Sequence, residues 1–560
     1  MKLFDILVPS ALLIALPAMG QGLHQEIEIE REIVPVERDA NRINTLPALS
    51  LPPVTPAKLK LSERIVTARV PNNVSVLEPA AYGDSLEPSP YRGYVALGIF
   101  PLYNVDFSAG YAAVKNSDTQ LNFWTQYNGL LYRRDRGPEY ETRYWRDHTV
   151  SVGTTLSQKI GRKSMLRASA DYTFASHTIS PFDEPFHYQL NSDRANIRAA
   201  FGSRCEGLRY WIGAKFGYFG YSPTETDLDA AGEYNYGLDL EGSIGAGETS
   251  DFRLGADVEI LSSRSYFSVI EDANVGGKTR GLVDVTPAYR FHGTNFEAQL
   301  GARLGISIND GKTFHVAPDV LLGWHPSSFF AISATATGGV QVNSLASLND
   351  VTPYCNPFVQ YSSSNIPYDF GATVTVGPFR GAYISLSGSY AKANDWLMPS
   401  LQQEWQGGQS FVPVDVSGWR AGVTMGYDYR DFASVALSYE TAPGDYDDCY
   451  YLWRDRARHV FNGQLTVRPI ENFSVTAGME WRTGRRILYR FYEPGTAIPP
   501  VEYCENLKNI SNLSLGFAYD YTQALTFFVR GENLLNHRHI ILGDRISNGI
   551  TALLGATYKF

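Results

Sequence analysis

The stretch Gly549–Phe560, GITALLGATYKF, decides how the rest of the chain is read. Ala552, Leu554, Ala556, Tyr558 and Phe560 fall on one face, and Thr551, Gly555, Thr557 and Lys559 fall on the other with Leu553. A period of two belongs to a β-strand, whose successive side chains point to opposite sides. The segment stops on an aromatic residue, Phe560, with Tyr558 two positions before it. Two settings suit such an ending. One is an edge strand of a soluble sandwich; the other is the strand that closes a barrel, with Tyr558 and Phe560 at the closure.

Working back from this strand, the same period recurs. Phe296, Ala298, Leu300, Ala302, Leu304, Ile306 and Ile308 alternate with Glu297, Gln299, Gly301, Arg303, Gly305 and Ser307. Phe252 to Ile260 alternates in the same way around Arg253, Asp257 and Glu259, Trp419 to Tyr429 around Arg420 and Asp428, and Phe473 to Trp481 around Glu480, with Arg482 following. A helix would scatter these residues around its circumference, so strands with one apolar and one polar face are the economical account.

The separators alternate in length. Tight turns are expected at Gly161-Arg162-Lys163, Cys205-Glu206-Gly207, Glu248-Thr249-Ser250, Gly293-Thr294-Asn295, Gly377-Pro378-Phe379, Arg430-Asp431 and Glu471-Asn472. Longer connections are expected near 178–190, 220–233, 266–279, 343–366, 394–413, 442–456 and 486–507. Short turns at one end and long loops at the other are the signature of a transmembrane barrel. Counting back from Phe560 gives about 22 strands, the first near Tyr91. The expected fold is therefore all-β, a large antiparallel transmembrane β-barrel with both ends of the wall on the periplasmic side. A soluble propeller is the competing architecture, but it requires a blade-length repeat that the sequence lacks.

Composition agrees with a barrel. The chain has 560 residues, with 35 Tyr, 29 Phe, 50 Gly and only 19% charged residues, and its mean hydropathy is −0.20. Lumen-facing polar residues and lipid-facing apolar ones cancel to this value. A net charge of −10 with no basic run argues against a nucleic-acid partner. Residues 1–20, MKLFDILVPSALLIALPAMG, read as a secretory signal, with Lys2 before an apolar run and small residues before Gln21. Residues 21–90 form an acidic and then Pro-rich leader, either extended in the periplasm or folded into the lumen, and residues 91–560 form the barrel. Within the leader, Ile27, Ile29, Ile33 and Val34 give Glu26–Val36 the character of a strand offered to a periplasmic or outer-membrane partner protein. Outer-membrane lipids are the other expected partner.

Arg530-Gly531-Glu532-Asn533-Leu534-Leu535-Asn536, preceded by the strand Leu525–Val529 and followed by the closing strand, resembles the carboxy-terminal hairpin of TonB-dependent receptors. Those are 22-stranded outer-membrane transporters whose lumen holds an amino-terminal plug domain. Here only the 70 Pro-rich residues of the leader precede the barrel. That leader and the opening SPYRGYVALGIFP look like a group of plugless barrels of the Bacteroidota. The resemblance implies an outer-membrane protein involved in binding or passage of a solute. A non-transporting structural or assembly subunit of an outer-membrane complex is the alternative.

For the lumen, the alternation nominates Arg253, Asp257, Glu259, Glu297, Arg303, Arg420, Asp428, Arg468, Glu480, Arg482, Arg530 and Glu532. Their mixed signs point to ion pairs between neighbouring strands rather than to a one-sign filter. For ligand contact, the loop residues Asp445, Asp447, Asp448, Tyr450, Tyr451 and Trp453 combine carboxylates with aromatic rings, without the spacing of a calcium loop. The stretch 394–413, with Trp396, Glu404 and Trp405, is a second such loop. Cys355, Cys449 and Cys504 fall in long loops and allow one disulfide, whereas Cys205 falls in a tight turn at the opposite end. His537 and His539 with Asp544, His148 with Asp147, and His459 with Asp455 are the nearest approaches to metal or catalytic groups. None has a nucleophile or ligand set at a telling spacing, so no enzyme activity, metal or cofactor is expected.

Overall fold

The computed structural model describes residues 90–100, 104–134, 143–179, 188–205, 207–223, 231–265, 279–355, 362–402, 410–442, 457–491, 501–542 and 545–560. The expected signal segment and residues 21–89 of the leader lie outside them.

Each wall strand pairs antiparallel with the next, beginning with β1 (Gly93–Phe100) and β2 (Asn104–Lys115). The series runs to β19 (Phe473–Thr483) and resumes at β22 (Ile510–Asp520), β23 (Leu525–Glu532) and β26 (Thr551–Lys559). β26 then pairs with β1, from Tyr94↔Lys559 to Ile99↔Leu554. The result is a closed barrel of 22 strands, which leaves no edge exposed in the bilayer. Two hairpins stand outside the wall. β20 (Arg485–Phe491) and β21 (Val501–Leu507) form one, and β24 (Ile540–Leu542) and β25 (Arg545–Ile546) the other.

The closure is made by the chain's last residue. Arg92 and Gly93 donate backbone hydrogen bonds to the Phe560 carbonyl at 2.7 and 2.9 Å, and the Phe560 amide donates to Gly93 at 3.0 Å. The Phe560 ring stacks on Tyr111 and Tyr558 at centroid distances of 6.3 and 6.2 Å.

Which face points outward follows from exposure. Phe252, Leu254 and Ile260 of β9 (Ser250–Ser265) and Trp419, Tyr427 and Tyr429 of β16 (Ser410–Tyr429) are exposed apolar side chains. Their sequence neighbours Arg253, Asp257, Glu259 and Arg420 therefore face the lumen. The apolar band belongs against lipid, and the architecture is that of an integral outer-membrane protein.

Two boundaries differ from the sequence reading. Gly377 and Pro378 belong to β14 (Ser364–Phe379), and the chain reverses at Arg380 and Gly381, which have φ of 51° and 92°. The register slips between Val376 and Phe379, because proline has no amide hydrogen for the ladder and the strand takes it up as an irregularity. The stretch 394–413 is mostly strand rather than loop. β15 (Ala382–Gln402) runs on beside β16, paired from Trp396↔Val414 to Ser400↔Ser410. Its apolar residues Leu397, Met398, Phe411 and Val412 are buried, which is what prolongs this hairpin beyond the ~9–11 residues a bilayer needs.

Candidate functional site

The connection between β13 (Phe330–Gln341) and β14 turns back into the barrel. Its first part is a seven-residue helix, α1 (Leu345–Val351). Ser344 caps it, accepting from the Ser347 amide at 3.1 Å, while the Ser347 hydroxyl receives the Ser344 amide at 3.0 Å. This reciprocal box satisfies two amides that a helix start leaves open. A helix of two turns is not stable alone, so the wall must hold it.

The wall residues that hold it all come from the lumen face. In β8 (Ala231–Gly245), the Glu233 carboxylate accepts the Leu345 amide at 2.9 Å. In β6 (Tyr188–Cys205), Arg194 donates to the Ala346 carbonyl at 2.7 Å and to Asp350 at 2.8 Å. In β7 (Leu208–Pro223), the Tyr221 hydroxyl donates to Asn349 at 2.6 Å and also reaches the Pro353 carbonyl. In β10 (Thr279–His292), Arg280 donates to the Asn343 carbonyl and lies 3.8 Å from Glu233 and 3.7 Å from Asp310. Arg280 and Glu233 are only 4% and 3% exposed. Two charges so deeply withdrawn from water persist only as a mutually bonded set.

Apolar packing completes the attachment. Leu345, Leu348 and Cys355 join Leu190, Phe219, Tyr221, Ala231, Leu397 and Phe411 in one buried cluster. Burying Leu345 and Leu348 contributes roughly 1.5–3 kcal/mol each. The segment is thereby tied to β6–β10 on one side and to β15 and β16 on another, as a cap over part of the lumen. Below α1 lies a cavity of about 70 Å3, lined by Arg194, Asn196, Arg198, Lys215, Glu233 and Asn235. Sequence periodicity does not reveal this cap. The one local signal was Ser344 and Ser347 at capping-box spacing before Leu345 and Leu348.

Several of the nominated lumen charges sit in ion pairs or hydrogen bonds, some within one strand and others across the wall. Arg253 contacts Glu241 at 2.9 Å, Arg420 approaches Glu440 at 3.7 Å, and Arg482 binds Glu480 at 2.6 Å. Arg530 lies 3.2 Å from Glu532 and 3.7 Å from Asp106, and Glu259 accepts from Asn235 at 2.7 Å. Asp257 lies 4.0 Å from Lys215. Arg303 packs against the backbone of Gly339, Glu297 against Gly323, and Asp428 sits beside the turn at Gly381.

The loop nominees Asp445, Asp447, Asp448, Tyr450, Tyr451 and Trp453 lie outside the described residues, as do Glu404, Trp405, Asp455 and Asp544. Asp147 and His148, being adjacent in a strand, face opposite ways: Asp147 pairs with His177 at 3.1 Å and His148 with the Tyr127 hydroxyl at 2.9 Å. His459 bonds Tyr439 at 2.9 Å. His537 and His539 stack at 6.2 Å, and among the described residues no group of three or more His, Cys, Asp or Glu is arranged to hold a metal ion. Burial lowers His539 below the usual histidine value. Cys504 is disulfide-bonded, whereas Cys205 is an exposed thiol and Cys355 a buried one. Burial pushes the Cys355 thiol up to about 12.

No protein-family profile matches the sequence, and no curated protein matches it. Solved structures do match. The ferric enterobactin receptor PfeA of Pseudomonas aeruginosa is 10% identical, over 84% of this chain and 80% of that one, with a TM-score of 0.62. The siderophore receptor PirA of Acinetobacter baumannii is 9% identical, over 84% and 80%, with a TM-score of 0.63. The outer membrane transporter YddB of Escherichia coli is 8% identical, over 84% and 81%, with a TM-score of 0.61. At these identities the likeness is one of fold.

Proposed function

We propose that this chain is an outer-membrane barrel for binding or passage of a solute, with the segment 342–355 acting as a cap on its lumen. The observation that carries the reading is the attachment of α1 to Glu233, Arg194, Tyr221 and Arg280, all on the polar inner face. A wall built only to stay shut has no need of a polar interior and a separately anchored cap. The fold likeness to siderophore receptors and a transporter supports the same reading, and a siderophore-like solute is one candidate cargo. The leader, residues 21–90, is proposed as the contact for a periplasmic or outer-membrane partner. Carboxylates and rings at Asp445, Asp447, Asp448, Tyr450, Tyr451 and Trp453 are proposed as outer ligand contacts.

Single-channel conductance in planar bilayers tests the reading. The full-length chain is compared with a variant whose residues 344–352 are replaced by a Gly-Ser linker, and with one lacking residues 21–90. A silent parent and a conducting cap variant support a capped passage. The buried Arg280–Glu233–Asp310 set also favours a second reading, a permanently closed barrel serving as a subunit of an outer-membrane complex. Silence in all three proteins selects that one.

A further inference from the structure

The lumen wall is not electrically even, and the strand register shows where it is polarised. On β6 and β7, Arg204 lies directly opposite Arg209, and Arg198 directly opposite Lys215. Like charges directly opposite on one face of a sheet repel and destabilise it. On the same inner face, Arg194 continues the row toward the cap, and Arg167 of β5 (Ser164–Ile179) lies over the lumen-side ring of Trp211 at 5.6 Å. The inner faces of these three strands carry a single carboxylate, Asp171, which already accepts a hydrogen bond from Asn196 at 2.8 Å. Lys215 leans toward Asp239 and Asp257 on the next two strands, at 4.0 Å from each. Among the described residues Arg198, Arg204 and Arg209 have no ion-pair partner. The row runs from the tight-turn mouth of the barrel to the cavity below α1, where Arg194 (paired with Asp350), Arg198 and Lys215 converge with Asn196, Asn235 and the Arg280-bound Glu233.

We infer that this basic row on β5–β7 is a binding track for an anionic solute bearing phosphate or carboxylate groups. Two arguments carry it. The register confronts like charges twice; Lys215 is offset by Asp239 and Asp257, but Arg198, Arg204 and Arg209 are left for a bound anion to offset. The guanidinium groups present planar donor pairs suited to carboxylate and phosphate oxygens. The inference gives a substrate class to the passage reading and rests on it for its physiological meaning, but binding itself can be measured without conductance.

The test is calorimetric titration of the full-length protein in detergent with inorganic tripolyphosphate, and in a parallel arm with citrate, at low and at high salt. Binding is expected at low salt, weakening as salt screens the row. Arg198→Gln together with Arg204→Gln is expected to weaken it by about tenfold or more for the pair. Arg198→Glu, which converts the repulsive pair with Lys215 into an attractive one, keeps the barrel folded and abolishes binding. Arg253→Gln, on the neighbouring strands and paired with Glu241, serves as the control and leaves affinity unchanged. A preference between the two probes separates phosphate from carboxylate recognition within the proposal. Absence of binding by the parent at low salt, or equal binding by the Arg198 and Arg204 variants in properly heat-modifiable barrels, overturns it. A silent bilayer bears only on the passage reading.

Discussion

Gly98 and Gly555 lie directly opposite each other where β1 meets β26, with Leu553 and Phe528 folded across them on the inner side. The two positions are not equivalent. A methyl group at Gly98 would meet the mobile end of Leu553, whereas one at Gly555 would run into the Leu97 carbonyl as well as the Phe528 ring. Gly98→Ala is therefore expected to close normally. Gly555→Val forces backbone apart at the seam, an overpacking cost of about 1–3 kcal/mol or more. Heat-modifiable migration on gels, scored against folded yield, reads the difference.

Tyr221→Phe removes one hydroxyl that serves both Asn349 and the Pro353 carbonyl. Those half-buried groups lose their donor, at a cost toward the lower end of about 1–3 kcal/mol. The loss falls on the cap and not on the wall. Amide exchange should accelerate in 344–355 while the wall strands stay protected.

Arg280 is the hub between Glu233, Asp310 and the Asn343 carbonyl. Arg280→Met leaves the Glu233 and Asp310 carboxylates without the cation they share, with an expected penalty of about 3–5 kcal/mol. Adding Glu233→Gln should recover part of that loss, because it removes one of the stranded charges. Denaturation in detergent of the two single variants and the double variant gives the coupling.

Thiol chemistry should separate the cysteines. Cys205 is exposed and Cys355 is buried, with its thiol held protonated up to about 12. The thiolate is the reactive form, so near neutral pH a maleimide should label Cys205 alone in the folded protein. Unfolding without reductant should add Cys355. Cys504, being disulfide-bonded, should label only after reduction. The raised Cys355 value also has a sign for stability. Its contribution is whole below the ordinary thiol value of 9.0 and is lost as pH rises toward about 12.

His539 has the opposite sign. Burial lowers it below 6.5, so its contribution is present above that value and is lost as pH falls through and below it. Its amide donates to the Ser547 hydroxyl at 3.0 Å, and the Ser547 amide returns to its carbonyl at 2.7 Å, which ties the loop between β23 and β26. Acidification should therefore loosen this loop, seen as faster amide exchange at 537–547, and His539→Gln should remove the pH dependence.

The barrel was legible because its two signals are local. Period-two alternation, as at Phe296–Ile308, and alternating separator lengths each survive in a linear reading. The misplaced turn at Gly377–Phe379 and the overlong loop at 394–413 share a cause. Glycine, proline and tryptophan punctuate both a loop and a strand that bulges or packs under a cap. The cap itself was hidden because α1 is too short to show a helical period, and because Glu233, Tyr221 and Arg280 differ from other lumen residues only in what lies above them. The basic row was hidden for another reason. Pooled over the whole wall, the charges balance, and only the pairing of Arg198 with Lys215 and Arg204 with Arg209 sorts them by sector.

Since the segment 342–363 leaves β13 and returns to the adjacent β14, it interrupts no pairing in the wall. If the proposed cap governs entry, exchange of that one hairpin insert would change what the interior admits while the cylinder around it stays the same. Diversification of such a barrel needs neither a new domain nor a new strand. On that reading, a library confined to this stretch of fewer than two dozen codons is the natural substrate for directed selection.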